Sequence, residues 1–480
     1  MRSDHDPRYQ ALRSRDPRFD GRFFVGVSST GTYCRPVCTA RTPRRENCRY
    51  YPSAAAAEAA GYRPCLRCRP ELAPGNASVD ARTRIAHSAA DLIENGALND
   101  DPVEALAGRL GVTDRHLRRV FQAEYGVSPV QYAQTQRLLL AKRLLTDTSL
   151  RVIEVAMASG FASLRRFNAL FRSRYRLSPT ALRKETGARV RPDGLELRLC
   201  YRPPFDWDAM AAFLGERAVA GVEDVRDGCY RRTVRVVRQG KAVRGWVVVR
   251  PDRGRAALSV TVDSALLKAL PQVLTRVRRL FDLSCDPIEV ARTLGRLAAS
   301  RPGLRVPGAF DGFELAVRAV LSQQVTVKAA RTLAGRFVGA FGERVATPFP
   351  ELDATFPAPE TIAGLRVAEI AELGVVAARA RSIIGLARAI VSGMLRLEPA
   401  ADVEPTLAAL RAMPGVGEWT AQYIAMRALS WPDAFPHTDL GVRKALRTAS
   451  PAAALESAEA WRPWRAYAVM HLWSSREGER

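Results

Sequence analysis

The chain has 480 residues, 73 of them basic and 49 acidic, for a formal net charge of +24. That length predicts about three or four domains. No apolar run approaches the roughly 18 residues of a transmembrane helix, and the start Met1-Arg-Ser-Asp-His-Asp-Pro-Arg8 has no signal-peptide core. A soluble intracellular protein is expected, and the surplus of Arg, whose fork matches phosphate, points to a polyanion partner.

Five of the eight cysteines lie before residue 70. Cys34-Arg-Pro-Val-Cys38 and Cys65-Leu-Arg-Cys68 are two short pairs, a spacing that suits a closed zinc site with four thiolates. Arg35, Arg41, Arg44, Arg45, Arg63, Arg67 and Arg69 crowd it and read as a phosphate-binding surface. The segments Thr30-Gly-Thr-Tyr-Cys34, Arg45-Glu-Asn47 and Gly61-Tyr-Arg-Pro-Cys65 resemble the N-terminal domain of the Ada methylation-response family. The resemblance implies that Cys34, besides binding Zn²⁺ with Cys38, Cys65 and Cys68, accepts a methyl group from a DNA methyl phosphotriester, once per molecule. Residue chemistry alone does not choose Cys34 among the four. Methylation would remove one negative charge from a site of formal charge about −2 and so raise DNA affinity. Cys48 departs from the family pattern; it is either a small buried residue or a spare thiol.

Pro70–Val79 reads as a linker. Val103–Phe121 and Val152–Phe171 each show an apolar helix, a turn at Gly111 or Gly160, and a second helix with outward Arg. This is a helix-turn-helix pattern occurring twice, each copy closed by Ser-Pro at 128–129 and 178–179. Arg176 stands where the first copy has Gly126, so the second copy is expected to end differently. The array resembles the AraC-family DNA-binding domain. By that resemblance, helices near 114–124 and 164–174 enter successive major grooves. Asp114, Arg115, Arg118, Arg165, Arg166 and Asn168 are then candidate readers of bases or phosphates. Leu117, Phe121, Phe167 and Phe171 fall at helical spacing and read as core.

After a basic linker at Gly187–Gly194, the alternating stretches Leu195–Leu199, Arg232–Val237 and Ala256–Val262 read as strands, with helices over Ala209–Ala220 and Leu266–Leu280. No catalytic constellation is visible here, and a supporting role is expected. From 285 onward the pattern is helical.

In that last part, Gly415 and Gly417 allow a hairpin that can lie against a phosphate. A helix starting near Glu418 puts Trp419 and Tyr423 on one face. Asp439 follows in Phe435-Pro-His-Thr-Asp439. Clamp, aromatic platform and carboxylate together suggest an enzyme acting on an extruded base. Residues 195–480 resemble the helix-hairpin-helix glycosylases, the AlkA branch in particular. The resemblance implies that Asp439 stabilises the cationic sugar as the N-glycosidic bond breaks. It implies that Trp419, Tyr423 and Trp473 form the pocket for an alkylated purine such as 3-methyladenine or 7-methylguanine. Gln324 stands where that branch can carry an apolar wedge that fills the hole left by the flipped base; as a departure from that pattern, a Gln could hydrogen-bond the orphaned partner base instead. A monovalent cation is expected at the hairpin. Relatives that also cleave the strand carry a lysine where Trp419 stands, so excision without strand cleavage is expected. No cysteine follows Cys285, so neither an iron–sulfur cluster nor a second methyl-acceptor domain is expected.

The expected architecture is multidomain α+β. A small zinc-bound α/β domain spans 1–75 and an all-α double helix-turn-helix spans 80–186. A small α/β domain over 194–284 and an all-α helix-hairpin-helix glycosylase domain over 285–480 follow. The expected function is alkylation repair joined to transcriptional regulation, in a cytoplasmic, nucleoid-associated monomer. Its partners would be alkylated and promoter DNA and RNA polymerase, with no membrane. The competing reading is a methylation-responsive transcription factor whose glycosylase half only binds DNA.

Overall fold

Residues 6–74, 84–186, 195–399 and 401–475 are described in a computed structural model. The chain divides into two units. The first comprises Met1–Pro203, Asp252–Thr275 and Leu283–Asp286; the second comprises Pro204–Pro251, Arg276–Asp282 and Pro287–Arg480.

The first unit begins with a four-stranded sheet made of β1 (Phe24–Val27), β2 (Thr32–Cys34), β3 (Cys48–Tyr51) and β4 (Arg63–Pro64), in the order β3-β1-β2-β4. Pairings are antiparallel except the parallel β2–β4 contact. Every β1 residue is buried because helices cover the sheet. Cys48 packs with Ala11, Leu12, Phe23 and Val25, and burial raises its thiol pKa. This favours the small core residue over the spare thiol. A short Ala-rich helix, α1 (Ala54–Ala59), connects β3 to β4 and is capped by Ser53, whose hydroxyl accepts from Ala56 N–H.

The two helix-turn-helix copies use α2 (Val103–Arg109) with α3 (Asp114–Tyr125), and α5 (Val152–Ala158) with α6 (Leu164–Tyr175). The long α4 (Pro129–Asp147) joins them, opened by a Ser128–Gln131 capping box with Pro at its first turn. Leu117, Phe121, Phe167 and Phe171 are fully buried, as their spacing predicts. The second copy ends like the first, contrary to expectation. Arg176 takes the left-handed conformation at φ 57° that Gly126 takes at φ 73°, at a cost of about 1–2 kcal/mol for a residue with a Cβ. The reason for Gly126 is packing: a Cβ there would lie 3.2 Å from Ala56 Cβ of α1.

Pro70–Leu72 is a 3₁₀ turn against α4 and not a free linker. Glu71 pairs with buried Lys142 at 2.7 Å, and Arg69 pairs with Asp147 at 2.7 Å. Positions 75–79 and the linker expected at 187–194 lie outside the described residues. The pair Leu195–Cys200 and Ala257–Val262 completes the strands of the first unit.

Glu58, at the end of α1, is 3% exposed. Burial pushes its carboxyl up to about 7, against the hydrogen bonds from Thr135, Tyr33 and Tyr175 and the charge of Arg174. A carboxyl whose folded pKa is raised costs stability once ionised. Stability should therefore fall as pH rises from about 4.5 to about 7 and then level, by about 3 kcal/mol at most. Glu58→Gln should flatten that slope in denaturant melts across this pH range.

The second unit carries the antiparallel strands Glu223–Arg226, Cys229–Arg238 and Lys241–Pro251. Its helices include α7 (Trp207–Glu216), α8 (Gly312–Leu321), α9 (Val327–Phe341), α10 (Ala377–Val391), α11 (Glu418–Arg427), α12 (Leu440–Ala445) and α13 (Arg465–Ser474). Helix α8 is almost wholly buried, and its Glu314 forms a 2.7 Å ion pair with buried Arg232. No helix among the described residues is long and apolar enough to cross a membrane.

Candidate active sites

The hairpin before α11 turns at Gly415, whose φ is +80°; a Cβ there would lie 2.2 Å from Ser382 Oγ. Glycine is dictated twice at this position, by conformation and by contact. Gly417 differs: its φ of −83° is ordinary, and nothing lies within 4 Å of where a Cβ would sit. The Ser382 hydroxyl of α10 donates to Pro414 O at 2.7 Å, and Gln323 Nε2 donates to Gly415 O at 2.8 Å. Two neighbouring elements thus hold the turn, and the first N–H groups of α11 point outward from it. Gln324 is exposed in the loop between α8 and α9, with φ +51°.

Asp439 is the N-cap of α12, and its Oδ1 accepts from Val442 N–H at 2.8 Å. It does more than cap. Trp419 Nε1–H donates to Oδ2 at 2.8 Å, and Trp473 Nε1–H donates to Oδ1 at 3.1 Å. Two indoles from α11 and α13 therefore fix the carboxylate's orientation. The Trp419 and Tyr423 rings stack at 5.1 Å and 12°, and Tyr423 and Trp473 lie 6.4 Å apart at 46°. Phe213 of α7 stacks on Trp473 at 6.4 Å and 15°. Arg427 Nη1 donates to the Tyr423 hydroxyl at 2.7 Å. Burial pushes the Tyr423 phenol up, but the charges of Arg427 and Arg217 outweigh this and set it below its usual value.

The sulfurs of Cys34, Cys38, Cys65 and Cys68 all lie within 4.8 Å of one another. Tetrahedral Zn²⁺ with Zn–S bonds of about 2.3 Å fits that cluster. Cys34 ends β2, and Cys65 follows β4, so the parallel β2–β4 pairing brings the two cysteine pairs together. Arg35 and Arg69 do not face a phosphate. Arg35 is 8% exposed and pairs with Asp20, and its backbone N–H donates to Cys68 Sγ at 3.4 Å; Arg69 is taken by Glu71 and Asp147. Arg41, Arg44, Arg63 and Arg67 are exposed, and Arg45 is half-buried in a 3₁₀ turn. On the recognition helices Arg115, Arg165 and Arg166 are exposed and Asn168 is half-buried. Arg118 is exposed and lies 3.5 Å from both Asp114 and Glu104, so two candidate readers pair with each other.

Four family models match the chain: the metal binding domain of Ada over 7–71, a helix-turn-helix domain over 106–185, the AlkA N-terminal domain over 196–311, and the HhH-GPD superfamily of base excision DNA repair proteins over 317–462. A probable bifunctional transcriptional activator/DNA repair enzyme AlkA of Mycobacterium tuberculosis is 40% identical over 492 residues, spanning 99% of this chain and 97% of that one. The chain belongs to this bifunctional AlkA family. Escherichia coli K12 DNA-3-methyladenine glycosylase 2 is 39% identical over 275 residues, covering 57% of this chain and 95% of its own. The solved 3-methyladenine DNA-glycosylase of Archaeoglobus fulgidus shares the fold over 58% of this chain and 98% of its own, with a TM-score of 0.50 and 24% identity.

In this AlkA-family chain, the structure brings Asp439, Trp419, Tyr423 and Trp473 together and gathers the four cysteines. Sequence reasoning missed Phe213, assigned to a merely supporting region, and also Gln323, Arg427 and Glu58. An aromatic in an amphipathic helix carries no mark that distinguishes a pocket wall from core. Trp419→Phe retains a ring for stacking but deletes a hydrogen bond to a charged group. Its kcat/KM for 3-methyladenine release should fall roughly tenfold or more, measured on alkylated duplex.

Proposed function

We propose that this chain acts on alkylated DNA in two ways, through Asp439 and through Cys34. Its glycosylase half releases alkylated bases, and its Ada-like half binds Zn²⁺ and DNA and regulates transcription. The observation that carries the first reaction is the pair of indole N–H groups aimed at one carboxylate beside a stacked Trp419–Tyr423 platform. An extruded alkylpurine stacks on the platform, where its positive charge meets electron-rich ring faces. As the C1′–N bond breaks, its electron pair leaves with the base. Asp439, already oriented by its three donors, stabilises the positive charge left on the sugar, and water then adds at C1′. No amine stands at the Trp419 position to form a Schiff base, so the strand stays intact. Gln324 enters the gap in the duplex, and the Gly415–Gly417 hairpin with the first N–H groups of α11 takes a phosphate. A monovalent cation at the hairpin belongs to the same proposal, and no step is assigned to it.

In the second reaction the Cys34 thiolate attacks the methyl carbon of a methyl phosphotriester. An S–CH₃ bond forms, the CH₃–O bond breaks, and a phosphodiester anion leaves. Zn²⁺ held by Cys34, Cys38, Cys65 and Cys68 would keep the thiol deprotonated at neutral pH. Arg45, Arg118, Arg165 and Arg166 contact DNA in the same proposal. RNA polymerase is the partner of the regulatory half, the chain acts as a monomer at the nucleoid, and its parts divide near 75, 186 and 284.

The deciding experiment incubates the full chain with duplex carrying 3-methyladenine and 7-methylguanine and separates free bases from nicked strands. Free base without nicks supports the proposal. Normal promoter activation with no free base would establish the competing reading, a transcription factor whose glycosylase half only binds.

A further inference from the structure

Helix α1 is short, yet Ser53 at its start and Glu58 within it reach the C-terminal turns of both recognition helices. Ser53 Oγ donates to Tyr125 O at the end of α3 at 2.7 Å. Arg174 Nη1 of α6 donates to Glu58 O at 3.3 Å. The Glu58 carboxylate gathers three buried hydroxyls. Tyr33 donates to Oε1 at 3.1 Å, Tyr175 donates to Oε1 at 3.3 Å, and Thr135 of α4 donates to Oε2 at 3.0 Å. Tyr33, Tyr175 and Thr135 are 0%, 4% and 4% exposed. Tyr33 is the residue immediately before Cys34 on β2, and Tyr175 is the last residue of α6. One carboxylate oxygen is therefore shared by the strand that ends in a zinc-binding cysteine and by a recognition helix.

We propose that Glu58 is a positioning residue that transmits the state of Cys34, through Tyr33, to the recognition helix α6. The inference rests on the reading of Cys34 as methyl acceptor and adds a mechanical route to the electrostatic one. Converting a thiolate to a thioether weakens its bond to the metal, and the end of β2 is then free to shift. A buried hydrogen bond is costly to leave unmade, so Tyr33 and Glu58 move together, and Tyr175 follows. The carbonyl contact from Arg174 keeps α1 and α6 in register. The first recognition helix is held at its end by the Ser53 bond and by the packing of α1 against Gly126, and among the described residues no carboxylate links it to β2. The second copy is thus the one whose fit to DNA changes with methylation.

The test uses the full zinc-loaded chain and a duplex enriched from a random-sequence library by the methylated wild type. Cys34 is methylated with duplex containing methyl phosphotriesters, and affinity is measured with and without methylation. Wild type should gain affinity on methylation. In Tyr175→Phe and Tyr33→Phe the gain should shrink about fivefold, the effect of one lost hydrogen bond. Zinc content, methyl uptake and 3-methyladenine release should be unchanged in both. Glu58→Gln keeps an acceptor for both tyrosines and lets the Thr135 hydroxyl turn to accept, so it should retain the gain. Raising the salt removes the electrostatic part and should leave the tyrosine-dependent part. Full gain in both tyrosine variants would overturn the route through Glu58 while leaving Cys34 as acceptor. No methyl uptake by wild type would overturn the Cys34 reading itself. Uptake without any change in affinity would overturn the switch and this route with it.

Discussion

Asp439→Asn should fold normally and release almost no base. Asn is as good an N-cap as Asp, so the bond from Val442 N–H survives and α12 keeps its start. The site suffers in two ways. The negative charge proposed to meet the sugar cation is gone. The amide also presents N–H toward one of the two indole donors, so two donors face each other where Trp419 Nε1 now lies 2.8 Å from a carboxylate oxygen. Loss of one aimed electrostatic contact in a dry site costs about 10²–10³ in rate, and the indole mismatch adds to it. Single-turnover release of 3-methyladenine, with a thermal melt alongside, checks both halves of this statement. Asp439→Ala removes the cap as well and should lower stability by about 1 kcal/mol; comparing the two variants separates capping from chemistry.

Cys34→Ala should abolish methyl uptake completely and leave excision unchanged. The effect on the N-terminal sheet is large as well. A structural zinc contributes about 10–16 kcal/mol of apparent binding free energy in small domains, and this sheet of short strands has a small core of its own. Removing one thiolate should weaken the metal, and a strong chelator should unfold the sheet outright. Zinc content, transfer of labelled methyl groups and base release, followed on one preparation, distinguish these outcomes. An excision rate that fell with the zinc would show that the two activities are not separable.

What could be read from the residues was local. The cysteine pairs sit a few positions apart, and β-pairing only had to bring two such pairs together. Trp419 and Tyr423 lie one helical turn apart, so their stacking follows from periodicity. Asp439 was legible as a lone acid after a break, although its two indole partners were not. Contacts between distant segments were invisible: Phe213 with Trp473, Gln323 with Gly415, and Glu58 with Tyr33 and Tyr175. Each of these side chains has an ordinary reading in its own local segment, and nothing in the Ala-rich stretch around Glu58 marks it as buried. Arg176 shows the opposite case. Its lack of glycine suggested a different helix end, yet Arg176 adopts the left-handed conformation all the same and caps the helix through its N–H on Arg172 O. Arg35 and Arg69 show how composition overstates a surface, since buried acids in the fold neutralise both.

The Trp419–Tyr423 stack has a consequence for which lesions fit. A flat ring held between two others needs them about 7 Å apart, twice a van der Waals contact, and these two sit at 5.1 Å, nearly parallel. Nothing can be inserted there. In the proposed function the base would therefore lie on an outer face of the stack. A platform of that kind measures planarity and charge and places no strict limit on thickness or outline. On that proposal, tolerance for adducts of different sizes would follow from the spacing of two side chains.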